Sequence, residues 1–231
     1  MTFLDLCQRV ASESGTVAGS GLPSSVSGQT GRLGRIVVWV QEALRDIENS
    51  RSDWKWMTAE FFGTAAQGQA ELTPASLGIA DHAWWLVQDE ATALYPWTIY
   101  TDTTNFDDET RLFWNNTSHI HLYGGQRTQT GKPVRMFLTP EDNVRLYPIP
   151  DADYVVRGWY RRSPQDLQEN DTTPNLPSRF HDLIWLMALD RLMAFDEAFE
   201  QIGIVRERID TIRRHLQRDY LPRFSMGAPL A

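Results

Sequence analysis

The segment from Phe180 to Phe195 is apolar on nearly every side of the helix that its spacing predicts. Its large apolar side chains are too many and too evenly spread to face one core: Phe180, Leu183, Ile184, Trp185, Leu186, Met187, Leu189, Leu192 and Met193. Such a helix has to be buried between layers of its own subunit or against another subunit. The helix must therefore be covered by the rest of the fold or by another subunit.

Three other segments show helical spacing with a single apolar face. Residues 2–13 predict a short helix with Thr2 as its N-cap, and residues 33–49 predict a second helix. Residues 196–220 predict the last helix, with the apolar stripe Ile202, Val205, Ile209, Ile212 and Leu216. The opposite face of that helix carries Arg206, Glu207, Arg208, Asp210, Arg213, Arg214, Gln217 and Arg218. We expect Arg206, Arg213, Arg214 and Arg218 to face a neighbouring subunit or a channel.

The middle of the chain shows strand-like patterns interrupted by Pro and Gly. Candidate strands are Thr58–Thr64, Trp84–Gln88, Trp97–Thr101, Val134–Leu138, Val144–Tyr147 and Tyr154–Arg161, while residues 106–114 fit either a helical turn or a strand. The pattern predicts an α+β fold in which N- and C-terminal helices form a helix bundle with a β-rich insertion between them. Its parts are the N-terminal helices (1–56), the β-rich subdomain (57–163), the C-terminal helices (164–220) and an extended tail (221–231).

Composition narrows the possible functions. The net charge of −8 argues against a protein whose main task is to grip duplex DNA by its phosphates, although it allows a channel through which DNA slides. The basic residues are almost all arginines, which suit bidentate ion pairs between subunits. The single cysteine, Cys7, excludes an intrachain disulfide. The sequence shows no signal peptide or membrane span, so we expect a soluble protein made in a reducing cytoplasm.

Several segments only superficially match catalytic or ligand-binding motifs. The loop Gly125–Lys132 has one residue too many between its glycines for a phosphate loop, and Pro133 replaces the required Ser or Thr. His119 and His121 could bind zinc on one strand face, but no third ligand is evident. His181 and Asp182 are helix neighbours that point in different directions, and Asp107–Glu109 is typical of a solvated charge run. We therefore predict no enzyme activity and no catalytic, cofactor-binding or metal-binding residues.

Two alternatives to a purely structural role remain open at this point. A zinc-dependent hydrolase would use His119, His121 and nearby carboxylates. A carbohydrate-binding or host-recognition module would use the Trp-rich β region, which includes Trp84 and Trp85. We favour core and interface roles for the nine tryptophans, because buried cores and subunit contacts use the same aromatic residues.

The order of motifs from Val144 to Asp190 resembles the head-to-tail adaptor (connector, head-completion) proteins of tailed bacteriophages. A strand ends in Tyr147-Pro148-Ile149-Pro150, a turn and a second strand follow, and Leu176-Pro177 precedes the apolar helix. The N-terminal region shows a further match at Phe3, Leu6, Cys7, Gly28, Thr30, Gly31, Val38, Trp39, Ala43, Asp46, Ile47, Asp53, Trp54 and Trp56. The resemblance covers most of the chain and includes no catalytic motif.

This resemblance implies a structural virion protein of the neck, between capsid and tail. It implies a homo-oligomeric ring, usually of twelve subunits, that binds the phage portal protein and a tail tube or nozzle protein. DNA would pass through the ring without sequence-specific binding, and neither a cofactor nor a membrane would be involved. The C-terminal segment of such proteins reaches the portal, which here implies portal-binding roles for Leu221, Arg223, Phe224, Met226 and Leu230.

Overall fold

The structure is a computed structural model that describes residues 1–16, 21–87, 95–101, 108–114, 128–197 and 199–221. The chain divides into two compact units. The helical unit comprises residues 1–57 and 164–231, and the sheet unit comprises residues 58–163. None of the helices in the described ranges combines the length and hydropathy that a membrane crossing requires.

The helical unit contains four α-helices. They are α1 (Phe3–Glu13), α2 (Gly31–Asn49), α3 (His181–Phe195) and α4 (Phe199–Tyr220). At the start of α1, the backbone N–H of Asp5 donates to Thr2 Oγ1, and the backbone N–H of Thr2 donates to the Asp5 carboxylate at 2.8 Å. This capping box satisfies two N–H groups that have no partner within the helix, so the predicted N-cap is confirmed.

Helix α3 lies at the centre of the helical unit and packs against α1, α2 and α4. Its apolar residues are buried on several sides, including Leu183, Ile184, Trp185 and Leu192. On α4, Ile202, Ile209 and Leu216 are buried, and Val205 and Ile212 are partly buried against the same core. The sequence-based prediction of a one-sided apolar stripe on α4 is therefore confirmed, and the apolar α3 is covered within the subunit.

The loop from residue 164 to residue 177 is anchored to the first two helices by backbone hydrogen bonds. The N–H of Phe3 donates to the carbonyl of Thr172 at 2.8 Å, and the N–H of Leu4 donates to Asn170 at 3.0 Å. The buried carboxylate of Glu48, on α2, accepts from the N–H of Gln165 at 2.8 Å. These bonds fix the course of a loop that has no regular secondary structure.

The sheet unit contains eight β-strands. They are β1 (Thr58–Ala65), β2 (Glu71–Leu72), β3 (His82–Leu86), β4 (Trp97–Tyr100), β5 (Thr110–Trp114), β6 (Arg135–Leu138), β7 (Val144–Tyr147) and β8 (Tyr154–Arg162). Each of the six predicted strands overlaps an observed one, residues 110–114 form a strand, and β2 was not predicted. The predicted strand Trp84–Gln88 begins earlier, at His82, and ends at Leu86, and Gln88 lies outside the described residues. The strand order is β1-β8-β4-β5-β6-β7-β2, with β3 also paired to β8. The pairs are antiparallel except β5 with β6.

The predicted fold class, an α+β fold with a β-rich insertion between the helices of a bundle, is wrong. The eight strands form one nearly closed, barrel-like sheet with a hydrophobic core of its own, so they are not an appendage of a helix bundle. Strand β8 organises this sheet, because it pairs with β1, β3 and β4. The prediction missed this arrangement because strand periodicity reveals single strands but not their long-range pairing.

The inward face of β8 shows how tightly this core is packed. Tyr154, Val156, Gly158 and Tyr160 alternate inward along the strand. A Cβ atom at Gly158 would lie 2.6 Å from ring atoms of Trp97 and 2.8 Å from Phe61. Only glycine fits at this position, because the two aromatic rings occupy the space that a side chain would need.

Candidate interaction surface

The residues of α4 opposite its apolar stripe form a shallow groove that faces away from the core. We call this surface the α4 outer face, and it consists of Gly203, Arg206, Glu207, Asp210, Arg213, Arg214 and Gln217. The groove encloses about 540 Å³. Within the described ranges, the extensive packing of α4 is against α3 alone, so most of the outer face is open to solvent.

Two of the arginines on this face also brace α4 against α3. The guanidinium of Arg206 donates through Nε to Asp190 Oδ1 at 2.7 Å. Arg213 is half-buried, and its Nη2 lies 3.7 Å from the Met187 sulfur. These contacts orient the two side chains, although much of the Arg206 side chain remains exposed.

Arg214 and Arg218 make contacts of a different kind. Arg214 donates only within its own helix, to the Asp210 carbonyl at 3.3 Å and to Thr211 Oγ1 at 3.2 Å. It forms no ion pair with any residue that the structure describes. Arg218 donates to the adjacent carboxylate of Asp219 at 3.0 Å. Of the four arginines predicted to face a neighbour or a channel, Arg214 thus has the most accessible uncompensated charge.

The charge of the α4 outer face differs from that of the whole chain. The face contains three arginines and two carboxylates, Glu207 and Asp210, in a chain of net charge −8. Its formal charge is therefore only +1, and because Arg206 is already paired with Asp190, Arg213 and Arg214 are its arginines without an ion pair among the described residues. The sequence pattern predicts the arginines of this face, but the groove and the part that Gly203 plays in it were not predicted. The spacing of Gly203, Arg206, Asp210 and Arg213 by three or four residues was the available signal.

The predicted portal-binding residues are only partly described. The N–H of Leu221 donates to the Gln217 carbonyl at 3.0 Å, and its side chain packs against the helical core. Leu221 therefore continues the last turn of α4. Arg223, Phe224, Met226 and Leu230 lie outside the described residues.

Tryptophan side chains contribute mainly to the two cores. Trp54, Trp85 and Trp97 are buried, and the rings of Trp85 and Trp97 meet edge-on with their centroids 5.3 Å apart. Trp84 is 42% exposed, with the guanidinium of Arg161 lying over its ring. Buried rings cannot stack on a sugar, so Trp54, Trp85 and Trp97 do not contribute to an aromatic platform of the kind that a carbohydrate-binding module needs.

The residues considered for acid–base chemistry have separate partners. His181 is buried, its Nε2 lies 2.8 Å from the Leu176 carbonyl, and burial lowers the pKa of its ring. Asp182 instead accepts from Trp185 Nε1 at 3.0 Å, so the predicted divergence of these two side chains is confirmed. Burial raises the pKa of the Cys7 thiol to about 12.

Other candidates for catalysis or metal binding are either solvent-exposed or not described. The pKa of Asp108 is lowered to about 2 by hydrogen bonds from Thr101 and by Lys132. His119, His121 and Asp107 lie outside the described residues, as does part of the Gly125–Lys132 loop. The described residues contain no group of three or more His, Cys, Asp or Glu side chains that could hold a metal ion.

Comparison with protein-family models gives a match over residues 1–223, and the matching family is described as SU10 adaptor protein. The matched range includes all four helices and all eight strands. No curated protein matches the chain.

Proposed function

The chain belongs to the SU10 adaptor protein family, and from this premise we propose that it is a ring-forming virion subunit that joins the portal of the capsid to the tail. In this proposal the ring extends the DNA channel and lies in the virion neck. The main support for the proposal is the family match, which spans both structural units rather than a single motif. Membership of a phage adaptor family favours a structural role over an enzymatic one.

The surface of the helical unit supports assembly into a ring. A closed ring of identical subunits needs two different, complementary surfaces on each subunit. The α4 outer face supplies one surface with arginines and carboxylates held at fixed spacing on a helix. Arginine is well suited to such contacts because its planar group pairs with carboxylates in a defined geometry.

The charge of the chain is compatible with a DNA channel. A net charge of −8 disfavours tight binding of phosphates. A conduit must let DNA pass, and strong contacts with the backbone would hinder its movement. We therefore propose that DNA passes through the ring without sequence-specific binding.

The C-terminal tail is the proposed portal-binding element. Leu221 directly follows α4, and the side chains proposed to bind the portal are those of Arg223, Phe224, Met226 and Leu230, with Leu221 at their base. The tail is uncharged after Arg223, as suits an extended segment that binds a groove or adds to a sheet edge.

Co-assembly with the portal protein encoded by the same phage tests this proposal. The full-length protein and the assembled portal would be mixed, and the mass of the product measured by light scattering after size-exclusion chromatography. We expect a species larger than the portal oligomer, in which electron microscopy shows a ring of this protein on one end of the portal. A mixture that contains no species larger than the portal would contradict the proposal.

A further inference from the structure

We infer that the α4 outer face of one subunit receives the acidic loop of residues 165–173 from the next subunit. This inference rests on the proposed ring and specifies its subunit contact. It commits to a second copy of this chain as the occupant of the α4 groove. Four features of the helical unit support it: a glycine, two arginines without an ion pair among the described residues, an acidic loop and the separate locations of the two surfaces.

Gly203 is the first of these features. It lies inside α4, where glycine destabilises a helix relative to alanine because it loses more backbone freedom on folding. A Cβ atom built at Gly203 would have no heavy atom within 4 Å, so the subunit itself does not require glycine there. A glycine that lines an open groove is explained if the backbone of another chain approaches closely at that point.

The charge pattern of the groove indicates which kind of chain approaches. The arginines at 206, 213 and 214 offer donors to carboxylates, and Arg214 has no ion pair within the described part of the subunit. Glu207 and Asp210 are interspersed among them and would repel a polyanion such as DNA. The groove therefore suits a protein segment that combines a few carboxylates with backbone and side-chain amides.

The loop of residues 165–173 has that composition. Asp166, Glu169 and Asp171 are its charged residues, and all three are exposed. Neither Glu169 nor Asp171 forms an ion pair with a described residue, whereas Asp166 forms an exposed pair with Arg45. Because the loop is not helical, its backbone is not surrounded by side chains on all sides and can come close to Gly203.

The acidic loop is also held in a fixed conformation before assembly. Its carbonyls at Asn170 and Thr172 accept from the first turn of α1, and the N–H of Val26 donates to Asn170 Oδ1 at 2.8 Å. A loop whose backbone is already fixed loses little conformational freedom on binding, which favours a defined contact. The loop is anchored on α1 and α2, whereas the groove lies on α4, which packs on α3. The two surfaces are thus distinct, as a head-to-tail ring contact requires.

Charge reversal provides the test. Arg214→Glu alters the groove, and the pair Glu169→Arg and Asp171→Arg alters the loop. Each altered protein should form the portal-bound ring with an affinity lower by about tenfold or more, since it brings like charges together. A single chain that carries all three substitutions should recover ring formation, because the reversed charges attract again. Glu141→Arg, an exposed substitution in the sheet unit, changes the net charge by the same amount as the triple variant, so it is a control for that change and should assemble normally.

Gly203→Leu tests the close approach separately. Leucine favours helix and would project into open space, so the melting temperature of the free subunit should not fall. Ring formation should nevertheless be lost, because the side chain fills the groove. Normal ring formation by the Gly203→Leu protein would overturn the close approach.

The melting temperature of every variant is measured first, so that misfolding is distinguished from loss of the contact. Three results would overturn the inference: the Arg214→Glu variant assembles like wild type, the loop variant does so, or the folded triple variant fails to recover. In each case wild-type assembly would still support the proposed function. If the wild-type protein itself does not assemble on the portal, the proposed function fails instead.

Discussion

The buried His181 should make the free energy of unfolding depend on pH. Its ring is buried at the start of α3, and Nε2 lies within hydrogen-bonding distance of the Leu176 carbonyl. Burial disfavours the charged ring and lowers its pKa below the ordinary value of 6.5. Between the folded pKa and 6.5, the unfolded chain therefore binds more protons at this residue than the folded chain does.

The free energy of unfolding should consequently decrease as the pH falls below 6.5, and the His181 contribution should be fully present above it. His181→Gln should reduce this dependence, because glutamine does not titrate. Melting temperatures measured between about pH 7.5 and about pH 5.5 test the prediction. His215→Gln, at an exposed position of α4, is the control and should behave like wild type. A His181 ring that titrates above 6.5 in an NMR experiment would rule out this explanation.

The two faces of α4 should respond differently to substitution. Ile209 is 6% exposed, so Ile209→Ala removes buried methylene and methyl groups and should lower the free energy of unfolding by about 2–5 kcal/mol. Arg214 is exposed and contacts only its own helix, so Arg214→Ala should change that free energy by about 0–1 kcal/mol. Urea unfolding of both variants provides the comparison. A larger loss for Arg214→Ala would mean that the faces of α4 are assigned incorrectly.

At the scale of elements, the sheet depends on glycine where β8 passes Trp97 and Phe61. A Cβ atom at Gly158 would lie 2.6 Å from the Trp97 ring, so Gly158→Ala should overpack the core and cost about 1–3 kcal/mol. Gly203→Ala is a matched control, since the space around Gly203 is open. It should stabilise the free subunit by about 0.5–1 kcal/mol through helix propensity. Equal unfolding curves for the two variants would contradict this explanation of Gly158.

Sequence periodicity predicted the separate elements better than their arrangement. The stripe of α4 and the alternation of β8 are local patterns, and both are confirmed. The two-residue strand β2 is too short to leave a pattern. The pairing of β8 with three strands and the parallel pair β5–β6 join residues far apart in sequence, which local spacing does not encode.

The candidate surface, too, could be predicted only in part from local sequence patterns. The arginines of α4 could be located by helical spacing, because charged residues lie opposite an apolar stripe. Their partners could not, since the contacts of Arg206 with Asp190 and of Arg213 with Met187 depend on how α4 packs on α3. Arg214 contacts only its own helix, whereas Arg206 and Arg213 contact α3, and this difference is evident only from the tertiary structure.

At the scale of the whole molecule, a ring held by arginine–carboxylate contacts should be sensitive to salt. Ions screen exposed charge pairs, with a Debye length of about 8 Å at physiological ionic strength and about 3 Å at 1 M. Portal-bound rings should therefore dissociate as sodium chloride is raised, while the free subunit keeps its melting temperature. Light scattering and melting measured across one salt series separate the two effects. Rings that persist unchanged at about 1 M salt would argue for a mainly apolar subunit contact.

The tail prediction concerns attachment of the ring rather than its formation. Deletion of residues 222–231 retains Leu221, which belongs to the last turn of α4 and packs against the helical core. The truncated subunit should therefore melt at the wild-type temperature, yet it should no longer attach to the portal. A full-length variant with Phe224→Ala, Met226→Ala and Leu230→Ala is the matched control for the loss of chain length. It should also lose attachment if the apolar side chains provide the affinity. A truncated protein that binds the portal as tightly as wild type would show that another surface makes this contact.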